Sequence, residues 1–204
     1  MRINIKSPLA LLGLVALATS AFAAPITIST GPAPWLVNGN PVVAETNIPG
    51  VWINNFGDGV WVGTTVGDAA IGAAPGSYIF TLNIFAASGG AGTGSFSLQY
   101  AADNAVTWSI SNGTLAGTTS CTAGTPNSDC FQAAGGAPRS LTGTYGAGSI
   151  LTATVINGGS SLNPMGLLVV GTANSDPSGV PEPSTYAMFT LGGSALALAR
   201  LRRK

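Results

Sequence analysis

Four carboxylates in the middle of the chain, Glu45, Asp58, Asp68 and Asp103, are the residues with which this sequence could do acid–base chemistry. A pair of Asp or Glu side chains suffices for glycoside hydrolysis, one as acid and one as base or nucleophile. Most of them stand in turn contexts: Asn-Phe-Gly-Asp58-Gly, Val-Gly-Asp68 and Ala-Asp103-Asn. Turns select Asp and Asn for backbone reasons alone. Other chemistries are removed outright. The 204 residues contain no His, which excludes Ser-His and Cys-His nucleophiles and any His-containing zinc site. No Lys lies between Lys6 and Lys204, so Ser-Lys and Schiff-base mechanisms are absent from the middle as well. The expectation is a protein that is not an enzyme, with a two-carboxylate glycosidase as the weaker alternative.

Binding is the better use of these residues. Asp and Asn in loops supply hard oxygen ligands of the kind calcium takes. Asp103-Asn104 and the stretch from Asn54 to Asp58 are the places for such an ion, although no ligand spacing specifies one. Saccharides need an aromatic face beside polar groups. Trp35, Trp52, Trp61 and Trp108 are the aromatic candidates, and Trp52 with Trp61 is the best pair, because Asn54, Asn55 and Asp58 flank them. Against this, a Trp in a β domain ordinarily belongs to the core. Cys121 and Cys130 are the only two cysteines, and in an exported domain they predict a disulfide.

The elements that carry these residues are strands. Charged residues make up only 7% of the chain and Gly is abundant at 29 residues. The cations cluster at the two ends, so the middle keeps Arg139 against six carboxylates, about −5. A chain segment with one cation cannot neutralise phosphates, which excludes nucleic-acid binding. Period-2 alternation runs through the middle. Tyr78, Phe80, Leu82 and Ile84 share one face of a strand over 77–85, and Phe96, Leu98 and Tyr100 one face over 94–100. The Gly-rich segment 87–92 between them predicts a hairpin. Gly50-Val51-Trp52-Ile53 and Gly59-Val60-Trp61-Val62 suggest another. Val106, Trp108 and Ile110 alternate, 150–156 is β-branched and Thr-rich, and Leu167 to Val170 reads as a central strand. Asn112-Gly113-Thr114 has the form of a glycosylation sequon and is read as a turn. Short strands with turn signals every eight to twelve residues predict an all-β fold, an antiparallel β-sandwich or jelly roll spanning 24–173, followed by a linker at 174–180.

The ends are targeting signals. Met1 to Lys6 is basic, Leu9 to Ala18 almost wholly apolar, and Ala21-Phe22-Ala23 fits an A-x-A cleavage site, so 1–23 is a signal peptide for signal peptidase. At the other end, Pro181-Glu182-Pro183 precedes a short apolar stretch and then Arg200-Leu201-Arg202-Arg203-Lys204. Physically that is a helix breaker, a short transmembrane helix and a basic stop on the cytoplasmic side. The ordered triple over 181–204 resembles the PEP-CTERM sorting signal. The resemblance implies an exported protein handed to an exosortase, a membrane protease-transferase, and passed to the cell envelope, surface or extracellular matrix. It also implies a host that makes exopolysaccharide and biofilm.

The middle has a resemblance of its own. Pro75-Gly76-Ser77-Tyr78, Tyr100-Ala101-Ala102-Asp103-Asn104, the run from Ser149 to Asn157 and Asn163-Pro164-Met165-Gly166-Leu167 are similar to blocks of galactose-binding-like β-sandwich ectodomains. That likeness implies a jelly roll with a saccharide ligand, here a carbohydrate-binding module for the host's exopolysaccharide, and no catalysis.

Overall fold

The computed structural model describes residues 24–31, 34–89, 92–121, 130 and 138–176. They belong to one compact unit, Ala23–Ser178. In chain order the strands are β1 Ile26–Ser29, β2 Leu36–Val37, β3 Asn40–Pro41, β4 Val43–Ala44, β5 Val62–Gly63, β6 Gly76–Asn83 and β7 Thr93–Asp103. They continue as β8 Ala105–Ile110, β9 Gly113–Gly117, β10 Ser120–Cys121, β11 Arg139–Tyr145, β12 Ile150–Asn157 and β13 Gly166–Asp176. One turn of helix, α1 Ile84–Ala87, sits between β6 and β7.

The strands form two antiparallel sheets. One runs β4-β5-β13-β7-β11-β9, with β1 also paired to β13; the other runs β10-β8-β12-β6-β2-β3. The chain is therefore an antiparallel β-sandwich. The alternating residues explain why. Phe80 and Leu82 on β6, Leu151, Ala153 and Val155 on β12, and Val106 and Trp108 on β8 are buried from one sheet. Phe96, Leu98 and Tyr100 on β7, Leu141 on β11, and Leu167 and Val169 on β13 are buried from the other, and all join a single core cluster. Trp108 spans the seam: its ring centroid lies 5.1 Å from that of Tyr100 and 6.3 Å from that of Trp35. Burying such side chains contributes roughly 1.5–3 kcal/mol each.

Local signals placed the turns. Asn38 and Gly39 take φ of 49° and 80° between β2 and β3, the two positive values that a two-residue type I′ hairpin requires. Asn112, φ 53°, turns the chain from β8 into β9, and its side chain donates to Ala147 O at 2.8 Å. The sequon there is thus a turn. The Leu167–Val170 segment is a central strand as expected, with β7 on one side and β1 and β5 on the other.

Three sequence expectations are corrected. β6 and β7 are not a hairpin: β6 pairs with β12 and β2, and β7 with β11 and β13, in opposite sheets. Alternation fixes which face of a strand is buried, not which strand lies beside it. Asn83 caps α1 by accepting from Ala86 N at 2.9 Å, and the helical turn helps carry the chain from one sheet to the other. The second expected hairpin, around Trp52 and Trp61, is a loop; within it only Val62–Gly63 is a strand. Residues 174–176, expected as part of the linker, belong to β13, which pairs Asn174 with Ser95 and Ser175 with Gly94, and 177–180 lie outside the described residues. Among the described residues no helix is long and apolar enough to cross a membrane. The signal peptide with Ala21 and Ala23, the Pro181-Glu182-Pro183 motif, the C-terminal helix and the basic residues Arg200, Arg202, Arg203 and Lys204 lie outside the described residues.

Candidate functional site

The aromatic pair singled out for saccharide stacking is interior. Trp52 is 2% exposed and Trp61 0%. Their ring centroids are 4.2 Å apart, and with Ala69, Ala101 and Leu168 they form a second core cluster. Trp61 donates Nε1–H to Ile53 O at 2.8 Å, and its backbone N–H donates to Asn55 Oδ1 at 3.2 Å. Asn55 therefore shapes the loop, while Asn54 and Asp58 are exposed on its outside. A ring with no exposed face cannot stack on a sugar, so Trp52, Trp61, Asn54, Asn55 and Asp58 do not compose the expected platform. Trp35 and Trp108 are buried too.

Two of the carboxylates do meet. Glu45 and Asp68 are each 5% exposed, and Glu45 Oε1 and Asp68 Oδ2 lie 2.7 Å and 2.8 Å from where a Cβ on Gly63 would stand. Asp68 is richly supplied with donors. Its Oδ2 accepts from Thr64 N and Oγ1 at 2.6 Å each and from Thr65 N at 3.0 Å, and its Oδ1 accepts from Thr65 Oγ1 at 2.8 Å. Burial raises its pKa, but these bonds outweigh burial and hold it below the ordinary 3.8. Glu45 has less. Oε2 accepts from Gly67 N at 2.9 Å, and Oε1 accepts nothing. Burial, reinforced by the Asp68 charge, raises Glu45 above its ordinary 4.5 against the backbone N–H groups around Gly67. The pair fastens the 64–68 turn onto the end of β4 in the interior. Of the other two carboxylates, Asp58 is exposed and Asp103 buried.

The third grouping joins Asn104, expected beside a calcium ion, to two asparagines from the other segments that resemble galactose-binding-like domains. Asn104, Asn157 and Asn163 converge where the β7–β8 turn meets the loop after β12. Asn104 Nδ2 donates to Asn157 Oδ1 at 2.7 Å; Asn163 Nδ2 donates to Asn157 Oδ1 and to Asn104 Oδ1, each at 3.1 Å. Asn157, 2% exposed, donates in turn to Ala73 O at 2.9 Å, Asn163 O at 3.1 Å and Ala74 O at 3.2 Å. An open pocket of about 530 Å³ lies over Asn104 and Asn163. Among the described residues no group of three or more His, Cys, Asp or Glu side chains gathers to hold a metal, and the amides around Asn104 are bonded to one another.

Residues 179–204 match the family model described as a PEP-CTERM protein-sorting motif. The chain carries a PEP-CTERM sorting motif. No curated protein and no solved structure matches it, so the likeness of its ectodomain to galactose-binding-like domains rests on the quoted sequence blocks. The matched segment contains Pro181, Glu182 and Pro183 and the basic residues from Arg200 onward. The PEP-CTERM protein is accordingly exported, anchored at the membrane and directed to the cell surface by exosortase-dependent sorting. Its ectodomain carries the expected disulfide. Cys121 and Cys130 are joined with Cα atoms 6.2 Å apart, Cys130 is buried, and its carbonyl accepts from Ala102 N at 3.3 Å. The bond thus ties the end of the short edge strand β10 to the C-terminal end of β7.

Proposed function

We propose that this PEP-CTERM protein is a non-enzymatic component of the cell surface or extracellular matrix, held among the host's exopolysaccharide in biofilm. The observation that supports this reading is the outer face of the larger sheet. Thr27, Thr172, Ser97, Thr142 and Ala116 form one row across five strands, β1-β13-β7-β11-β9, and all five are exposed. The next row is Asn174, Ser95, Thr144 and Thr114, with the last two hydroxyls 2.8 Å apart. Neighbouring strands lie about 4.8 Å apart, so these two rows make a closely spaced, hydroxyl-rich surface whose named members carry no charge. Such a face matches a hydrated neutral polymer and offers nothing to a nucleic acid or an anionic membrane.

The non-enzymatic reading draws support from the carboxylates. Glu45 and Asp68 are occupied in holding a turn, and a glycosidase would need a pair flanking a substrate cleft. A carbohydrate-binding module is the second reading, favoured by the open pocket beside Asn104 and Asn163. Fractionation of the native host tests the proposal. The protein is expected in the envelope and matrix fractions and is expected to be released when the polysaccharide is digested. Recovery in the cytoplasm, or matrix retention that survives removal of all polysaccharide, would refute it.

A further inference from the structure

The pocket between the β7–β8 turn and the loop after β12 has an unusual hydrogen-bond balance. A primary amide has two donor hydrogens and an oxygen with two acceptor sites. Asn104 commits its hydrogens to Asn157 Oδ1 at 2.7 Å and Pro164 O at 3.4 Å. Asn163 commits both of its own to Asn157 Oδ1 and Asn104 Oδ1. Buried Asn157 locks the set by donating to three backbone carbonyls. What the two half-buried amides retain is acceptor capacity, on Asn104 Oδ1 and Asn163 Oδ1. Those oxygens are fixed in place before any ligand arrives, so little ordering cost remains to be met on binding.

The rest of the pocket is equally specific in character. Ile156, 48% exposed, gives an apolar patch beside the amides. Gly158 and Gly159 bring bare backbone to the rim, with Gly159 at φ 97°, and Ser161 adds a hydroxyl. Among the described residues no charged side chain lines it. The chain between the two targeting ends holds Arg139 against six carboxylates, which disfavours anionic ligands.

We propose that this pocket binds a neutral saccharide, whose hydroxyls donate to Asn104 Oδ1 and Asn163 Oδ1 while a C–H face of the ring rests on Ile156. This rests on the reading of the protein as a polysaccharide-matrix component and names the site that reads the polymer. It replaces the buried Trp52–Trp61 pair as the place where a sugar can be met.

The test uses the exported protein recovered from its host, applied to an array of neutral and uronic-acid-containing oligosaccharides in the presence of EDTA. The expected result is retention on neutral glycans at least tenfold above that on uronates. Ile156→Glu is expected to lower retention at least tenfold, and Ile150→Glu, on the same strand and face at its far end, to leave it within twofold. Should Ile156→Glu fail to fold, Ile156→Ser supplies the same reading with a smaller loss. No retention of any neutral glycan, equal retention by the folded Ile156 variant, preference for uronates, or binding that appears only on adding calcium would each overturn the proposal. A protein that still fractionates with the polysaccharide matrix after such a failure leaves the broader function standing and removes only this site.

Discussion

Trp52 and Trp61 pack on one another with their planes tilted by 42°, and both rings press against Gly166 at the start of β13. A Cβ on Gly166 would lie 3.0 Å from Trp61 Cε3 and 3.1 Å from Trp52 Cζ3. Gly166→Ala is therefore expected to destabilise the domain by about 1–3 kcal/mol through overpacking, and Trp61→Ala by about 3–5 kcal/mol through the cavity it leaves. Urea unfolding followed by Trp fluorescence measures both. A Gly166→Ala variant as stable as wild type would mean that the rings do not bear on that Cα.

Glu45 and Asp68 predict opposite pH dependences. Glu45 binds its proton more tightly folded than unfolded, so stability falls as pH rises from about its ordinary 4.5 through its raised value. Asp68 is held below its ordinary 3.8, so its contribution is present above that value and is lost as pH falls through the lowered one. Melting temperature against pH should show a maximum in the acid range. Glu45→Gln should flatten the decline on its alkaline side and leave the acid limb in place. A variant that keeps the alkaline decline would assign it to another group.

The Cys121–Cys130 bond closes a loop with a sequence separation of 9. By the chain-entropy argument its reduction should cost about 2–3 kcal/mol. The loss should appear as a lower urea midpoint under reductant, with no change for a Cys121→Ser/Cys130→Ser double variant. A reductant effect that persists in the double variant would exclude the disulfide as its source.

Sorting through the tail predicts two covalent changes. The intact mass of protein recovered from envelope and medium should lack residues 1–23 and everything beyond about Pro183. Replacing Pro181, Glu182 and Pro183 with Ala should leave the C-terminal segment attached and hold the protein in the membrane fraction. Full removal of the tail from that variant would show that another enzyme cuts it.

Much of this protein is legible one segment at a time. The alternation at Phe80 and Leu82, at Phe96, Leu98 and Tyr100, and at Leu151 and Val155 specifies strands and their buried faces. Asn38-Gly39 specifies a turn because few other residues accept positive φ. Pro181-Glu182-Pro183 with the basic end specifies sorting, since that signal is read as a linear segment. Tertiary structure decided the rest. Whether β6 lies beside β7 or β12, whether Trp52 and Trp61 face solvent or Gly166, and whether Glu45 reaches Asp68 depend on segments distant in sequence. The Asn104, Asn157 and Asn163 cluster joins residues up to 59 positions apart, and none of the three alone reveals that the other two lie beside it. A period-2 pattern records burial, which every strand in a sandwich shares. The choice among partners comes from packing all inward faces at once, and no single stretch of sequence contains it.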